Sequence, residues 1–453
     1  MSIGTETITD SRDAGLTPQP PQTLEDLGVP ADRLAELLLK TLVSGEANGS
    51  ELADRLAVPF SILEPIVEYV RLEKLVEVRG AAGVGSAGYR YTLTDMGRDR
   101  ARQFLDVSRY IGPVPVPLSQ YVRYIKTQAK QRGPAVNSGK SLFLYGPPGN
   151  GKTVIAEGIG QAMGGAIYVP HAIDVDGQTI TMFDMVNHER RGVGTDRESQ
   201  QIPLMAPSHE HPPGVRRWDD VDKPSSVIAA HGHDRRWVRI RRPVVTVGGE
   251  LTLEMLDLTF NPISRFYEAP IQLKANGGVF VVDDFGRQRI PARDLLNRWI
   301  VPLESRVDYL TLHTGRKFEI PFDVFIVFAT NLKPESLADE AFLRRIPYKV
   351  YASNPSVEEY TRIFEMYCGR RGLGFDPVII DYLMQRYYEP RDIQMRACHP
   401  RDLVEHMVDI CNYHERPPVI TRELVDAACE SYFLEEQEAQ SGREDWARDG
   451  VLR

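Results

Sequence analysis

The sequence lacks any apolar run near the roughly 18 residues that a membrane-spanning helix needs. Its opening stretch, MSIGTETITDSRDAGLTPQPPQT, has neither a basic start nor an apolar core. Membrane insertion, a signal peptide and a transit peptide are therefore not expected, and the reading places the chain in the cytoplasm. Cysteine is scarce: Cys368, Cys398, Cys411 and Cys429 all fall in the last fifth of the chain, without a C-x-x-C pair or the histidine spacing of a zinc site. They read as free thiols among helices. Positive charge is not in excess either, because the net charge is -9, and this excludes a general affinity for nucleic acid or anionic membrane. What remains is an ordinary globular composition, 42% hydrophobic and 26% charged, over 453 residues, long enough for two or three domains.

Residues 1–25 mix Thr, Pro, Gln, Asp and Gly without periodicity and read as a disordered tail. From Ala31, ADRLAELLLKTLVSGE places Leu34, Leu37, Leu38, Leu39 and Leu42 at helical spacing. GSELADRLAV follows as a short helix capped by Ser50, and SILEPIVEYVRLEKL as a third. VEVRG, the tip AAGVGSAG and YRYTLT then read as a two-stranded wing, so that residues 26–105 form a small winged-helix domain. Its third helix carries Glu64, Glu68 and Glu73 against Arg71 and Lys74, a balance that phosphates repel. Arg79, Arg90, Arg98, Arg100 and Arg102 leave the wing side a basic edge. Residues 106–140, with RYIGPVPVPLSQYVRY, read as an extended linker.

From Ser141 the chain reads as an apolar strand, SLFLY, then the loop Gly146, Pro147, Pro148, Gly149, Asn150, Gly151, Lys152 and Thr153, then a helix from Val154. A phosphate-binding loop requires this context. Its glycines let backbone N–H groups face the phosphates of ATP, Lys152 reaches the β- and γ-oxygens, Thr153 offers a hydroxyl to Mg²⁺, and the helix N-terminus favours the anion. AIYVPHAI reads as the second strand of the sheet. GGVFVVDDFGRQR supplies the third: Val279 to Val282 suit a buried parallel strand, and Asp283 emerges at its carboxyl end as the metal carboxylate. A fourth strand, VFIVFATN, ends at Thr330 and Asn331, where a polar side chain can orient an attacking water. DEAFLRRIPYK offers Arg344 and Arg345, and CHPRDLVEHM puts Arg401 in the first turn of a helix opened by Pro400.

In this order the motifs resemble those of the AAA+ ATPases, from about Ser141 to Phe433. The resemblance implies an α/β fold with a P-loop NTPase parallel sheet over 141–352 and a helical lid over 353–435, preceded by the winged-helix domain. It implies a Walker A loop at Gly146 to Thr153, a Walker B strand at Val279 to Asp284, a sensor-1 Asn331, an arginine finger at Arg344 or Arg345, and a sensor-2 Arg401. The finger would serve a neighbouring subunit, so a homo-oligomeric ring, hexameric by family expectation, is implied, with ATP and Mg as cofactors and a protein client to remodel. VDYLTLHTGRKFEIPFDVFIVFATN is similar to the hairpin inserted before sensor 1 in the branch that includes MoxR-like ATPases and magnesium-chelatase subunits. Alternation in YLTLH and KFEIPF around His313, Thr314 and Gly315 supports a hairpin independently. A nucleotide-dependent DNA-binding regulator and a non-hydrolysing ATP-binding switch are the alternatives.

The glutamate that usually follows the Walker B aspartate is absent. Asp284 takes its place as the base, one methylene shorter, and a shortfall of roughly 1 Å is worth about 100-fold in rate, so hydrolysis is expected to be slow. An insertion at about 190–275 contains two His-x-His pairs, His209 with His211 and His231 with His233, which read as solvated loop residues. Arg235, Arg236, Arg239, Arg241 and Arg242 with Trp218 and Trp237 form the strongest basic cluster, suited to an acidic partner, a nucleic acid or an adjacent subunit. WVRIRRPVVTV reads as a strand exposing arginines on one side. No aromatic-apolar-glycine pore tripeptide is present, so polypeptide threading is not expected. SVEEYTRIFEMYCGRRGL, PVIIDYLMQRYYE, PRDLVEHMVDICNYH and TRELVDAACESYF read as four amphipathic helices of the lid, and residues 436–453 as a charged tail.

Overall fold

The structure, a computed structural model, describes residues 17–81, 85–131, 141–191, 232–337 and 340–433. Most of the expected N-terminal tail, the whole C-terminal tail, and His209, His211, Trp218 and His231 lie outside those residues.

The N-terminal part begins with α1 (Ala31–Leu42), whose leucines 34, 37, 38, 39 and 42 are all buried. After β1 (Ala47–Asn48), α2 (Gly49–Leu56) is opened by Asn48 rather than Ser50. The Asn48 side chain accepts from the Glu51 N–H at 2.8 Å, and the Glu51 carboxylate accepts from the Asn48 N–H at 3.1 Å. This reciprocal box satisfies two orphan donors at once, which a serine two residues further on cannot do. Helix α3 (Phe60–Leu72), β2 (Val76–Ala81), β3 (Tyr89–Leu93) and α4 (Asp95–Val107) complete the unit, with the strands antiparallel in the order β1-β3-β2.

The expected linker is structured over its described residues, 106–131. Its prolines end in β4 (Val116–Pro117), and α5 (Leu118–Gln131) follows, burying Tyr121 and Ile125 one helical turn apart. Tyr121 stacks on Trp237 with ring centroids 6.3 Å apart.

The central part runs through β5 (Leu142–Tyr145), α6 (Lys152–Met163), β6 (Ala166–Pro170), β7 (Ala172–Val175), β8 (Gln178–Thr181), β9 (Trp237–Arg241) and β10 (Val244–Val247). It continues with β11 (Thr259–Asn261), β12 (Phe266–Glu268), β13 (Val279–Val282), α7 (Ala292–Ser305), β14 (Val307–Thr311), β15 (Lys317–Pro321), β16 (Phe325–Thr330) and β17 (Tyr348–Tyr351). Five of these strands form one parallel sheet in the order β10-β13-β16-β5-β17. All four residues of β13 are fully buried, as expected of a strand covered on both faces.

The second strand of this sheet is not the one read from sequence. AIYVP forms β6, which pairs antiparallel with β9 in a separate ribbon, and β7 joins another sheet. The place beside β13 is taken by VVTV, residues 244–247, so the span 190–275 read as an insertion contains a strand of the central sheet. WVRIRRPVVTV is thus two strands, broken at Pro243, whose missing N–H cannot join a ladder. The expected hairpin around Gly315 is β14 and β15, in register from Val307 opposite Pro321 to Thr311 opposite Lys317.

A second five-stranded sheet, β11-β12-β8-β7-β4, carries the N-terminal unit. Tyr110 packs edge-on against Phe266 at 5.7 Å, Arg33 donates to Gly177 O at 2.8 Å, and the Arg109 N–H donates to Ser264 O at 2.8 Å.

The C-terminal part contains α8 (Val357–Arg371), α9 (Val378–Leu383) continuing as a π-helical turn over Met384–Tyr388, α10 (His399–Tyr413), and a helical segment over 422–433. At its centre Tyr360, Tyr388 and His399 form a buried relay, with Tyr360 Oη to Tyr388 Oη at 2.8 Å and Tyr388 Oη to His399 Nδ1 at 2.9 Å. Burial, assisted by Arg396, pushes the His399 imidazole down to about 4. The unfolded chain therefore takes up the proton first as pH falls. Stability contributed here is complete above about pH 6.5, is lost progressively towards pH 4, and is level below that, a change of about 3 kcal/mol. Chemical unfolding of these helices monitored across that window should show the loss, and His399→Gln should flatten it relative to the native chain.

Candidate functional site

The carboxyl ends of β5, β13 and β16 meet the N-terminus of α6, and the side chains expected to handle a nucleotide converge there. Gly146, Gly149 and Gly151 all have positive φ. At Gly146 a Cβ would stand 2.4 Å from Ala352 O, and at Gly149 it would stand 2.5 Å from Cys398 Sγ. Only glycine allows the loop to run this close to the strand beside it and to the helical part above it.

Lys152 is buried, and its ammonium donates to Gly146 O at 3.1 Å, Pro147 O at 2.8 Å and Asn331 Oδ1 at 2.6 Å. Its three donors are thus all used. Burial pushes its pKa down, while the charges of Asp283 and Asp284 push it up. The Thr153 hydroxyl donates to Asp283 Oδ2 at 2.7 Å, and Asp283 Oδ1 accepts from the Asp284 N–H at 2.9 Å. One continuous chain of contacts therefore joins Asn331, Lys152, Thr153, Asp283 and Asp284, which span almost 180 residues of sequence. The Val154 side chain is turned outward and exposed, as is Pro148.

The arginines are distributed differently. Arg344 is exposed, and its side chain makes no hydrogen bond or ion pair with the described residues. Arg345 donates from Nε to Glu304 at 2.6 Å, which ties it to α7 of its own chain. Arg401 is half exposed and paired with Asp402 at 2.8 Å. The backbone just before its helix is what meets the loop: the Cys398 N–H donates to Gly149 O at 2.8 Å and the Ala397 N–H to Asn150 Oδ1 at 3.2 Å.

Three participants had no signal in the sequence. Asn354 accepts from Asn150 Nδ2 at 2.9 Å, linking the loop to the exit of β17. Arg396 brings its Cδ to 3.4 Å from where a Cβ on Gly149 would stand. Gln288 is buried and grips the turn after β13. Asn354 and Arg396 lie outside any motif, and only the folded chain carries them to the site, whereas Gln288 stands four residues beyond Asp284 in GGVFVVDDFGRQR.

The sheet order and the loop geometry settle the architecture. The fold is a parallel α/β sheet with a glycine-rich loop leading from β5 into α6. Among solved structures, NtrX from Brucella abortus in complex with ADP is similar at 12% identity and a TM-score of 0.36, covering 74% of this chain and 58% of that one. A second NtrX structure is similar at 13% identity and a TM-score of 0.37, covering 82% and 62%. RuvB from Thermotoga maritima, described as a Holliday junction branch migration motor, is similar at 12% identity and a TM-score of 0.34, covering 70% and 72%. This chain thus spans about six-tenths of the length of the NtrX chains. A family described as a domain of unknown function (DUF8689) matches residues 356–431, which is most of the C-terminal helical part. No functionally curated protein shows significant similarity to the chain.

The expected basic cluster does not survive folding as a surface patch. Trp237 is buried against Tyr121 and Tyr124, Arg236 is buried on Asp234, and Arg235 pairs with Asp54 at 2.9 Å. Arg242 donates to Gly164 O and Gly277 O, both at 2.7 Å. Arg241 stays exposed and lies 3.7 Å from Glu189. Local carboxylates and carbonyls had already claimed the positive charge that composition alone assigned to a partner. Among the described residues no group of three His, Cys, Asp or Glu is placed to hold a metal, and no helix is long and apolar enough to cross a membrane. Of the cysteines, Cys368, Cys411 and Cys429 are buried free thiols, and Cys398 lies against the loop.

Proposed function

We propose that this chain binds ATP with Mg²⁺ at the loop 146–154, hydrolyses it in a homo-oligomeric ring, and uses the cycle to remodel a protein partner. The observation that carries the reading is the convergence of Lys152, Thr153, Asp283 and Asn331. The hydroxyl of Thr153 and the carboxylate of Asp283 are hard oxygen donors at 2.7 Å, a pair that suits Mg²⁺, which takes few protein ligands and completes its shell with water and phosphate oxygens. When bound, the ion would neutralise charge developing on the transferred phosphate. Lys152 would exchange its two loop carbonyls for phosphate oxygens, releasing Asn331 to orient water, and Asp284 would accept the proton.

Asp284 has φ 48°, in the left-handed region, where a short side chain that bonds locally is tolerated better than a long one. The turn thus favours aspartate at this position. Asp284→Glu should lower turnover in a phosphate-release assay, and a several-fold gain would contradict the reading of the turn.

Arg344, exposed and without a side-chain partner among the described residues, is favoured over Arg345 as the residue that reaches a neighbouring subunit. Arg401 and Arg396 would approach the nucleotide from the helical lid, and the β14–β15 hairpin supports the MoxR-like branch. The N-terminal unit reads as a winged helix used for docking. Its arginines are already paired, Arg79 with Glu77, Arg90 with Glu46, Arg98 with Asp95 and Arg102 with Asp99, while Arg100 lies over Phe104. These exposed pairings offset the basic edge on which the DNA-binding alternative relies.

The test is phosphate release with Mg-ATP by the purified chain and by Asp283→Asn. The native rate per subunit should rise with protein concentration as rings assemble. Arg344→Ala should bind ATP normally yet release little phosphate, and mixing it with a Lys152→Met variant should restore part of the activity, because one supplies the finger and the other the loop. A native rate equal to Asp283→Asn at every concentration sinks the proposal.

A further inference from the structure

The turn Asp283 to Gln288 joins the metal carboxylate and the base of the proposed hydrolysis, and nothing in the motifs explains how it holds its shape. Two of its residues have positive φ, Asp284 at 48° and Gly286 at 96°, and an Asp in that region relaxes unless its surroundings over-determine it. The surroundings are specific. The Gln288 amide donates from Nε2 to Asp283 O at 2.9 Å and to Asp284 O at 3.3 Å, while its Oε1 accepts from the Gly286 N–H at 2.8 Å. The orientation of the amide is dictated by these partners, since two carbonyls need a donor and an N–H needs an acceptor. Gln288 is itself buried, so water does not replace it. Below it, the fully buried Phe285 is pinned by its N–H to Ala329 O at 2.8 Å and by the Thr330 hydroxyl donating to Phe285 O at 2.7 Å. The turn is thus fastened to the strand that ends at Asn331.

We propose that Gln288 is a positioning residue that holds Asp284 in the left-handed conformation, and so sets where its short carboxylate lies relative to Asp283 and the nucleotide. The assignment rests on the proposed ATP hydrolysis. Its chemistry is specific, because the side chain must donate to two carbonyls and accept from one N–H across the same turn. Ala supplies neither, and Glu, when ionised, supplies only the acceptor.

The experiment measures phosphate release at saturating Mg-ATP, ATP affinity by calorimetry, and melting temperature, for the native chain, Gln288→Ala, Gln288→Glu and Asp283→Asn. Gln288→Ala should lower kcat by about 30-fold or more, the scale of an ångström-level misplacement, with ATP affinity within about threefold. Gln288→Glu should be slow at neutral pH and recover relative to the native chain as pH falls and its carboxyl gains a donor proton. A structural role alone would not produce that pH profile. If the native chain turns over and Gln288→Ala stays within about threefold of it, the positioning role is overturned and the hydrolysis reading stands. If Gln288→Ala loses ATP affinity in proportion to kcat, or Gln288→Glu shows no recovery on acidification while still folded, the role is likewise overturned. If the native chain is no faster than Asp283→Asn, hydrolysis is overturned and the role falls with it.

Discussion

Lys152→Met is expected to remove ATP turnover, lowering it by at least about 100-fold, because a single preorganised charge at a developing oxyanion is worth that much. The geometry makes the effect larger than the loss of one contact. Lys152 holds Gly146 O, Pro147 O and Asn331 Oδ1 together, so Met leaves three acceptors without their donor and frees the loop from the β16 terminus. Asp283 and Asp284 would also face incoming phosphate without the cation beside them, and their repulsion should weaken ATP binding as well as catalysis. Calorimetry and phosphate release on the same preparation separate the two. Unchanged ATP affinity with unchanged turnover would remove Lys152 from the site.

The second large effect concerns stability and lies far from the loop 146–153. Arg236 is 2% exposed and Asp234 likewise buried. The guanidinium donates to both carboxylate oxygens, at 2.8 to 3.1 Å, to Leu27 O at 3.0 Å and to Gln120 Oε1 at 3.1 Å. Gln120 in turn donates to Asp26 O at 2.8 Å, and the Asp234 N–H to Pro18 O at 2.8 Å. Three remote segments, the N-terminal residues, α5 and the start of β9, are therefore joined through one cation. Arg236→Met strands a buried carboxylate and should cost about 3 to 5 kcal/mol, read as an early transition in urea unfolding. Adding Asp234→Leu should recover much of this, because a desolvated charge is then no longer left alone. A loss below about 1 kcal/mol would mean that water reaches Asp234 and the junction is not closed.

How much of this was legible beforehand depended on whether the information was local. The loop from Gly146 to Thr153 specifies its own turn and its own helix start, and Asp283 follows a run of four valine and phenylalanine residues that suits a buried parallel strand. The hairpin around Gly315 likewise follows from alternation on either side of a turn. AIYVP and VVTV, by contrast, are equivalent as local patterns. Both are short and apolar, and only the partner decides that VVTV lies beside β13 and AIYVP beside β9. Strand pairing is a long-range choice that periodicity does not encode. The proline-bearing segment before Ser141 misled for a similar reason, since its prolines govern five residues and Tyr121 and Ile125 govern the helix that follows.

The arginines mark the same boundary more sharply. Counted along the chain, five of them near Trp237 make a basic patch. In the fold, the carboxylates and carbonyls that come to meet them leave little free charge, and one arginine becomes the most buried cation of the N-terminal junction. The sequence by itself determined the chemistry available at the loop 146–153 and at the end of β13, because residue type and spacing fix which donors a loop and a strand end can present. Only the tertiary structure decided which arginine is exposed and which is paired, and which strand stands second in the sheet. Each of those outcomes depends on contacts between segments far apart in sequence, and burial sets their worth.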